Sequence, residues 1–550
     1  MAIHRDMVVD IPEHAYIQRR GGREYVYMYT RFFRTEEGKP SNESVAVGAL
    51  TDGDDWVMHP NDNYLRIYRV APPGKQNESA CVGYTAVVDS AFEDLGLLEA
   101  LAAAFGDRDA KRIRTVAAYM AKEGSVLSKI GRFCESERFR DSQEVITSQR
   151  ASEIFCGVTA EKMRRFYREW VPRAAGDGYV CYDVTSISTW SRMIEEAEYG
   201  YNRDHDRLPQ LNLGLFHSED TGYPIYLDKY NGSVNDYTEV RQAYANARAA
   251  GLEGRFKLVT DGVFFQREKL SAFVADGITV TCGMPAYLDV SKAYVDAHGA
   301  EVKEAENYVG HDGTFALMVE GQEVLGIPGR VLVGWCPKSM MLLNEDLDRK
   351  IQSYERNEIP QIKKYSTVKR KKKFTGLFDF EEAEGGGFTF SRNEGKIAEA
   401  RRRYGHFTIF TTDPDATAEQ IVTVYRDKDG VEKQFTELKQ YMDARRARVH
   451  SQEAFDGKYD VLVVSLILRR WLRNRLGGYM GAKHLTLDDC LEKLSDIEMY
   501  IADDEVRLRK AMTKEQRELL ELCGVDPAKL EQRERASIIE AEASEGRSRA

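Results

Sequence analysis

The residues best suited to chemistry lie in one stretch, Tyr425-Arg-Asp-Lys428-Asp-Gly-Val-Glu432-Lys-Gln-Phe-Thr-Glu-Leu-Lys439. Its skeleton is Tyr-x2-Lys-x3-Glu-x6-Lys. On a helix, intervals of three, four and seven bring side chains to one face. A tyrosine, two ammonium groups and one carboxylate pointing the same way suit gripping a phosphodiester beside a metal-bound carboxylate. Two earlier segments offer partner carboxylates: Tyr182-Asp183-Val184-Thr185-Ser186 and Leu258-Val259-Thr260-Asp261-Gly262. In each, the aspartate follows a β-prone run, where a sheet can hold a ligand rigidly. Cutting and joining phosphodiesters needs a strong nucleophile and neutralisation of a pentavalent phosphate. Two divalent ions about 3.5–4 Å apart do both, and hard carboxylate oxygens suit Mg²⁺. With 89 acidic residues, residue type alone singles out no triad. An aspartate after a strand is more often a turn or cap residue, and Asp413, Asp427 and Asp429 stand nearby as alternatives. The order and local context of the three segments are what set Asp183, Asp261 and Glu432 apart.

Together these residues resemble the DDE transposases of bacterial insertion sequences, in the group with a Tyr-x2-Arg-x3-Glu-x6-Lys signature and an insertion before its glutamate. The resemblance is good from about Gly178 to Leu270 and again from about Gly405 to Leu476. One departure is visible: Lys428 stands where the signature has arginine. Lysine keeps the charge and loses the bidentate fork, so a single-point phosphate contact is expected. The resemblance implies that Asp183, Asp261 and Glu432 are catalytic and hold Mg²⁺, with Mn²⁺ able to substitute. It implies DNA contacts from Tyr425, Lys428 and Lys439, to which the adjoining run Arg445, Arg446 and Arg448 adds positive charge. Related transposases stack a flipped base on an aromatic within the insertion, where this chain has Trp335; a buried core tryptophan is the competing reading.

Composition sets the frame. A chain of 550 residues holds more than one domain. No run approaches the ~18–20 apolar residues of a membrane span, and the start, Met-Ala-Ile-His-Arg-Asp, has no apolar signal core. Eight scattered cysteines without a Cys-x-x-Cys pair argue against structural zinc and a disulfide scaffold, and fit a reducing cytoplasm. A formal charge of −11 does not advertise a nucleic-acid binder. Local charge does: Lys363, Lys364, Lys369, Arg370, Lys371, Lys372 and Lys373 form one basic block, and Lys396, Arg401, Arg402 and Arg403 a second. The histidines show no metal-ligand spacing.

The expected architecture is α/β: an RNase H-like catalytic core interrupted by a β-containing insertion, preceded by a small β unit and a helical region. Residues 1–75 form the β unit, with strands at Tyr25–Phe33 and Tyr64–Val70 and turn signals at Gly21-Gly22 and Glu37–Pro40. Residues 76–175 form a helical DNA-binding region. There Ser148–Phe155 and Thr159–Trp170 read as a helix-turn-helix or a plain helical hairpin, and Lys162, Arg164, Arg165 and Arg168 line the second helix. Residues 176–284 and 412–480 make the core, in the order β-β-β-α-β-α-β before the Glu432 helix, and 285–411 the insertion. Residues 481–550 are a charged helical tail, disordered over its last ~20 residues. The function expected is a bacterial, cytoplasmic DNA transposase that acts at the nucleoid as a homodimer on DNA. It would bind its element's inverted ends, cut strands and transfer them into target DNA, with no membrane partner. An RNase H-like nuclease without strand transfer and a domesticated, non-catalytic DNA-binding protein are the rival readings.

Overall fold

A computed structural model describes residues 3–532 except 5–6, 21–22, 35–38, 52–53, 69–76, 140, 143, 177, 201–206, 235, 253–256, 311–312, 503–504 and 531. The turn signals at 21–22 and 37–38 and almost all of the tail expected to be disordered therefore lie outside the described residues. The chain divides into two compact units. One comprises Met1–Val87, Glu135–Gln143 and Asp489–Ala550, the other Val88–Cys134 and Glu144–Asp488.

In the first unit, β1 (Val9–Asp10), β2 (Ala15–Arg20), β3 (Arg23–Arg34), β4 (Pro40–Thr51) and β5 (Asp54–Pro60) form an antiparallel sheet in the order β1-β5-β4-β3-β2. Val26, Val47 and Met58 are its fully buried centre. The strand expected from Tyr64 is instead a helix, Asp62–Tyr68. Its cause is local and tertiary at once. Asn61 Oδ1 accepts the backbone N–H groups of Asn63 at 2.9 Å and Tyr64 at 3.2 Å, which caps a helix start. Tyr64 then packs on the sheet core, so burial overrides the β propensity of Tyr-Leu-Arg-Ile-Tyr. The short β6 (Asn77–Cys81) follows.

The second unit opens with helices. Those at Ser148–Gly157 and Ala160–Ala174 start at Thr147 and Thr159, whose side chains accept from the N–H groups of Arg150 and Lys162. The second helix turns Met163, Phe166, Tyr167 and Trp170 inward and leaves Arg164, Arg165 and Arg168 exposed. Trp170 Nε1 donates to Pro224 O at 2.9 Å, seating that helix on the sheet.

The sheet itself has eight strands: β7 (Tyr179–Ser188), β8 (Gln210–Ser218), β9 (Pro224–Asn231), β10 (Lys257–Thr260), β11 (Thr279–Met284), β12 (Phe315–Val324), β13 (Ile327–Trp335) and, after the hairpin β14 (Phe378–Glu382) and β15 (Phe388–Arg392), β16 (His406–Thr411). Their order is β12-β13-β16-β11-β10-β7-β8-β9. β7, β8 and β9 form an antiparallel meander, while β10 runs parallel to both β7 and β11. Crossover helices at Asp236–Ala249 and Arg267–Ala275 fill the connections, so every element expected over 178–282 is present. The region expected as an insertion behaves differently. β13 and β16 extend the same sheet, β16 pairing antiparallel with β11. Only the part between them builds its own small core, around Leu347, Ile351, Ile359, Val368, Phe374, Phe378 and Ile397. The helix Gln452–Lys483 follows, buried along most of its length. β17 (Glu498–Ala502) and β18 (Glu505–Leu508) then return to the first unit and pair with β6. No helix among the described residues is long and apolar enough to cross a membrane.

Asp413, one of the alternative carboxylates, is structural. It is 1% exposed. Its Oδ2 takes Lys257 Nζ at 2.7 Å and the Tyr179 hydroxyl at 2.5 Å, and its carbonyl takes Arg330 Nε at 2.9 Å. Burial alone would raise the carboxyl's pKa; the bonds from Lys257 and Tyr179 outweigh it and hold the group below its ordinary value. Removing one member of a buried pair costs about 3–5 kcal/mol, and Lys257 is part-exposed, so the lower end applies. Asp413→Ala should lower the thermal midpoint of this unit by several degrees at pH 7, and the gap should close as pH falls through the depressed pKa. Calorimetry at pH 7 and at the acid limit of folding checks it; equal midpoints at pH 7 would show the pair to be idle.

Candidate functional site

Asp261 stands one residue beyond β10, where the parallel register brings it level with the middle of β7 and near the end of β11. Its carboxylate accepts from Gly262 N at 2.6 Å, capping a single 3₁₀ turn, and its side chain stays about half exposed. Lys428 Nζ lies 3.4 Å from Asp261 Oδ1. The lysine is largely buried, its ammonium 5.8 Å from the centre of the Tyr425 ring. Tyr425 in turn lays its hydroxyl over Gly283 of β11, where any Cβ would overlap it. Burial, then the charges of Asp261 and the Cys282 thiol, push the Tyr425 phenol well above its ordinary pKa, so it stays a neutral hydroxyl. One of the four signature side chains, Lys428, thus meets the second candidate carboxylate directly, and Tyr425 lies beside that lysine.

The signature does not occupy one uniform helical face. A helix runs Ala418–Asp427, entered through a capping box between Thr417 and Gln420. A second runs Asp429–Thr436, with Lys428 at the join. The turn Glu437–Tyr441 is then widened to a π-helix, which shifts the phase before Lys439. Glu432 is exposed and Lys439 half-buried. The second helix is seated by Gly430, which packs against His217 of β8, and by Gln434 Nε2 donating to Gly222 O at 3.5 Å. His217, buried and beside Arg470, is held neutral with its pKa lowered to about 3.

Asp183 lies mid-way along β7, in register with Leu215 of β8, and is half-buried. Alternation puts it on the face opposite Tyr182, which packs against Phe216 and Phe264. Asp183, Asp261 and Glu432 have the donor chemistry for a hard divalent ion. Even so, no three His, Cys, Asp or Glu side chains among the described residues are arranged to hold one. The cation beside Asp261 in this conformation is Lys428. The side chains of Asp427 and Asp429 lie outside the described set.

The basic runs divide sharply. Arg445, Arg446 and Arg448 sit on a loop fixed to the end of β7: Ala447 N donates to Ser188 O at 3.2 Å, Lys458 Nζ to Ala447 O at 2.8 Å and the Tyr459 hydroxyl to Ala444 O at 2.8 Å. Arg448 pairs with Asp443 at 2.5 Å, and the Arg446 guanidinium lies 5.4 Å from the ring of Trp190, itself 68% exposed. The block 363–373 is exposed throughout its seven charges, Lys373 pairing with Glu358. The second block is largely neutralised by aspartates of other elements: Arg401 meets Asp348 at 2.5 Å, Arg402 and Arg403 meet Asp296, and Lys396 faces Asp379 at 3.9 Å. Trp335 is half-buried on β13, its ring 5.6 Å from Phe315 and 4.9 Å from Lys303 Nζ.

Sequence reasoning missed the ion cluster that fixes the π-turn. Glu437, two residues before Lys439, is buried; it accepts Arg469 Nε at 2.6 Å and pairs with Arg473. Arg469 also donates to Ala121 O at 2.5 Å. The one signal was an Arg469–Arg470–Arg473 run on an otherwise apolar helix.

A family model described as a transposase DDE domain matches residues 175–459, more than half of the chain. The chain belongs to the transposase DDE-domain family. No curated protein matches it. Among solved structures, it is similar to a piggyBac transposase synaptic complex with hairpin DNA, at 9% identity and a TM-score of 0.32, over 69% of this chain and 68% of that one. Asp183, Asp261, Tyr425, Lys428, Glu432 and the 445–448 loop all fall within the matched transposase domain.

The buried Lys458 gives the loop a pH signature. Burial, then the charge of Arg448, lowers its pKa to about 7 from the ordinary 10.5. Between those limits the unfolded chain binds the extra proton, so stability rises with pH. Lys458→Met should remove that rise: relative to the parent it gains most at pH 7 and least near pH 10, on top of a constant offset for the lost bond to Ala447. Urea midpoints across that range decide it, and a pH-independent difference would count against it.

Proposed function

We propose that this transposase-family chain recognises the inverted ends of its own DNA element, cuts strands there and joins them to target DNA. The observation that carries the reading is the meeting of Lys428 with Asp261 at the end of β10, with the Tyr425 ring beside that lysine. A neutral phenol and an ammonium beside an exposed carboxylate suit a phosphate drawn up against a catalytic acid. The strand order β9-β8-β7-β10-β11, a meander followed by two parallel strands, supports an RNase H-like core. Asp183 on its central strand, Asp261 beside it and Glu432 on the closing helix are the proposed catalytic residues.

These three carboxylates would hold Mg²⁺, for which Mn²⁺ substitutes, and the ion would neutralise charge developing at phosphorus. This chain's own contribution is binding and orientation. Lys428 gives a point contact to one phosphate in place of an arginine fork. Tyr425, protonated and immobilised over Gly283, donates a hydrogen bond. Lys439 and Arg445, Arg446 and Arg448 extend the positive surface along the backbone. The exposed Arg164, Arg165 and Arg168 face and the 363–373 lysines are proposed to add end recognition and non-specific phosphate contacts respectively, and Trp335 to pack within the insertion-side strands. Two ends must be paired, so a homodimer assembled on DNA in a bacterial cytoplasm is the proposed working form.

Asp261→Asn should take nicking and strand transfer below detection together while leaving gel-shift affinity for end DNA within about two-fold, since binding rests on basic and hydroxyl groups. Asp183→Asn and Glu432→Gln should follow the same pattern. The assay is divalent-ion-dependent nicking of end DNA beside a binding titration. Near-normal nicking by Asp261→Asn, or binding lost in step with cutting, would sink the assignment.

A further inference from the structure

The sheet of the first unit has two unlike faces. Val26 and Met28 of β3 turn to the buried core, so alternation sends Tyr25, Tyr27 and Tyr29 to the other face. Register places Tyr16 of β2 opposite Tyr27, and Gln18 opposite Tyr25. A bulge between Tyr29 and Arg31 then restores Phe32 to the tyrosine face, where it lies opposite Asn42. The rings form a continuous ladder: Tyr16 to Tyr27 at 5.6 Å and 20°, Tyr16 to Tyr29 at 4.9 Å, Tyr29 to Phe32 at 5.1 Å. The Tyr16 hydroxyl is anchored to Ser44 Oγ at 2.8 Å. Phe32 at the end of the ladder is 70% exposed.

Charge is sorted between the same two faces. Arg20 lies opposite Arg23 at one end of the ladder, and Arg34 opposite Pro40 at the other; all three arginines are exposed. The carboxylates of β2, β3 and β4, Glu24 and Glu43, fall at the alternate positions, in register with Arg19 and Arg31. Among the described side chains the ring face is therefore aromatic along its middle with arginines at both ends, and Gln18, Asn42, Ser44, Thr51 and His59 are polar residues on it. Arg23 to Arg34 spans roughly 35 Å of extended strand.

We propose that this face is a binding site for single-stranded nucleic acid, with unpaired bases stacking on Tyr16, Tyr27, Tyr29 and Phe32 and phosphates meeting Arg20, Arg23 and Arg34. Stacking is what selects the strand state. Bases in a duplex already stack on one another, so the ring ladder offers a duplex only its arginines, whereas every unpaired base has a face to give it. Sequence tolerance and strong salt dependence follow from that chemistry. The site lies outside the matched transposase domain and does not depend on the proposed catalytic triad.

The test uses the full chain, a fluorescent twenty-nucleotide oligo-dT, the matching oligo-rU and a duplex of the same length. Phe32→Ala should weaken single-strand binding about fivefold or more, and Tyr27→Ala with Tyr29→Ala about tenfold or more, with duplex affinity within two-fold of the parent. Phe32 is exposed, so its variant stays informative even if the double variant is less stable by circular dichroism. Oligonucleotides carrying 5-iododeoxyuridine should crosslink to β2 and β3 on irradiation. A tighter rU than dT arm would make RNA the source. Unchanged single-strand affinity in Phe32→Ala, crosslinks confined to residues outside β2–β4, or ring variants that alter self-association alone would each overturn the proposal.

Discussion

The buried carboxylate of Asp413 is the constraint on which the catalytic sheet depends. Asp413 stands two residues beyond β16; its carboxylate collects Tyr179, the first residue of β7, and Lys257, the first described residue of β10, and its carbonyl collects Arg330 of β13. The described part of β10 is four residues long, and those residues' ladder bonds alone hold it weakly between its two parallel neighbours. Fixing its first residue electrostatically fixes its last, and Asp261 is the next residue along. A charged pair in such a place is no bargain against a well-packed apolar cluster. What it supplies is register: an ammonium, a phenol and a guanidinium from three strands can satisfy one carboxylate and its carbonyl in only one alignment.

Asp261 itself shows the opposite regime. Half exposed and beside one ammonium at 3.4 Å, it gains little stability from the pair. Lys428 gives up more, since it lies largely buried at the join of two helices. A guanidinium there would need room for a planar fork; an ammonium on a slim stem lies against the Tyr425 ring and still reaches the carboxylate. The departure from the arginine of the resembled signature and the kink at Lys428 thus occur at one position. Gly283 completes the arrangement, because any larger residue would displace the phenol.

Much of this was legible in the sequence wherever the signal was local. The runs at 179–184, 210–216, 224–230, 256–260 and 278–282 are β-rich and bounded by turn residues, and the described residues of each hold a strand of the sheet. Asp183 and Asp261 were placed by those strands. What was not legible depended on partners distant in the chain. Tyr64–Tyr68 has strand-like residues, yet an asparagine three positions earlier and an apolar sheet beneath it make a helix. The Tyr-x2-Lys-x3-Glu-x6-Lys spacing describes an ideal helix, while Glu437 is drawn to Arg469, 32 residues onward, and the turn widens before Lys439. Strand β16 looked like the edge of an insertion because its partners, β11 and β13, lie more than seventy residues before it.

The basic runs carry the same lesson in electrostatic form. By sequence, Lys396 to Arg403 and Lys363 to Lys373 are equivalent blocks in a chain of net charge −11. Once folded they differ. The Lys396–Arg403 block meets Asp296, Asp348 and Asp379, each supplied by another element, so its field is largely cancelled. The Lys363–Lys373 block stands on two short helices over Val368 and Phe374, which hold its backbone while its side chains face water, with Glu358 engaging Lys373 alone. Counterion release counts the phosphates that a protein's cations neutralise. A cation already committed to a carboxylate must first break that pair, so pairing in the fold, rather than the number of lysines and arginines in a run, ranks the surfaces of an acidic protein that can meet DNA.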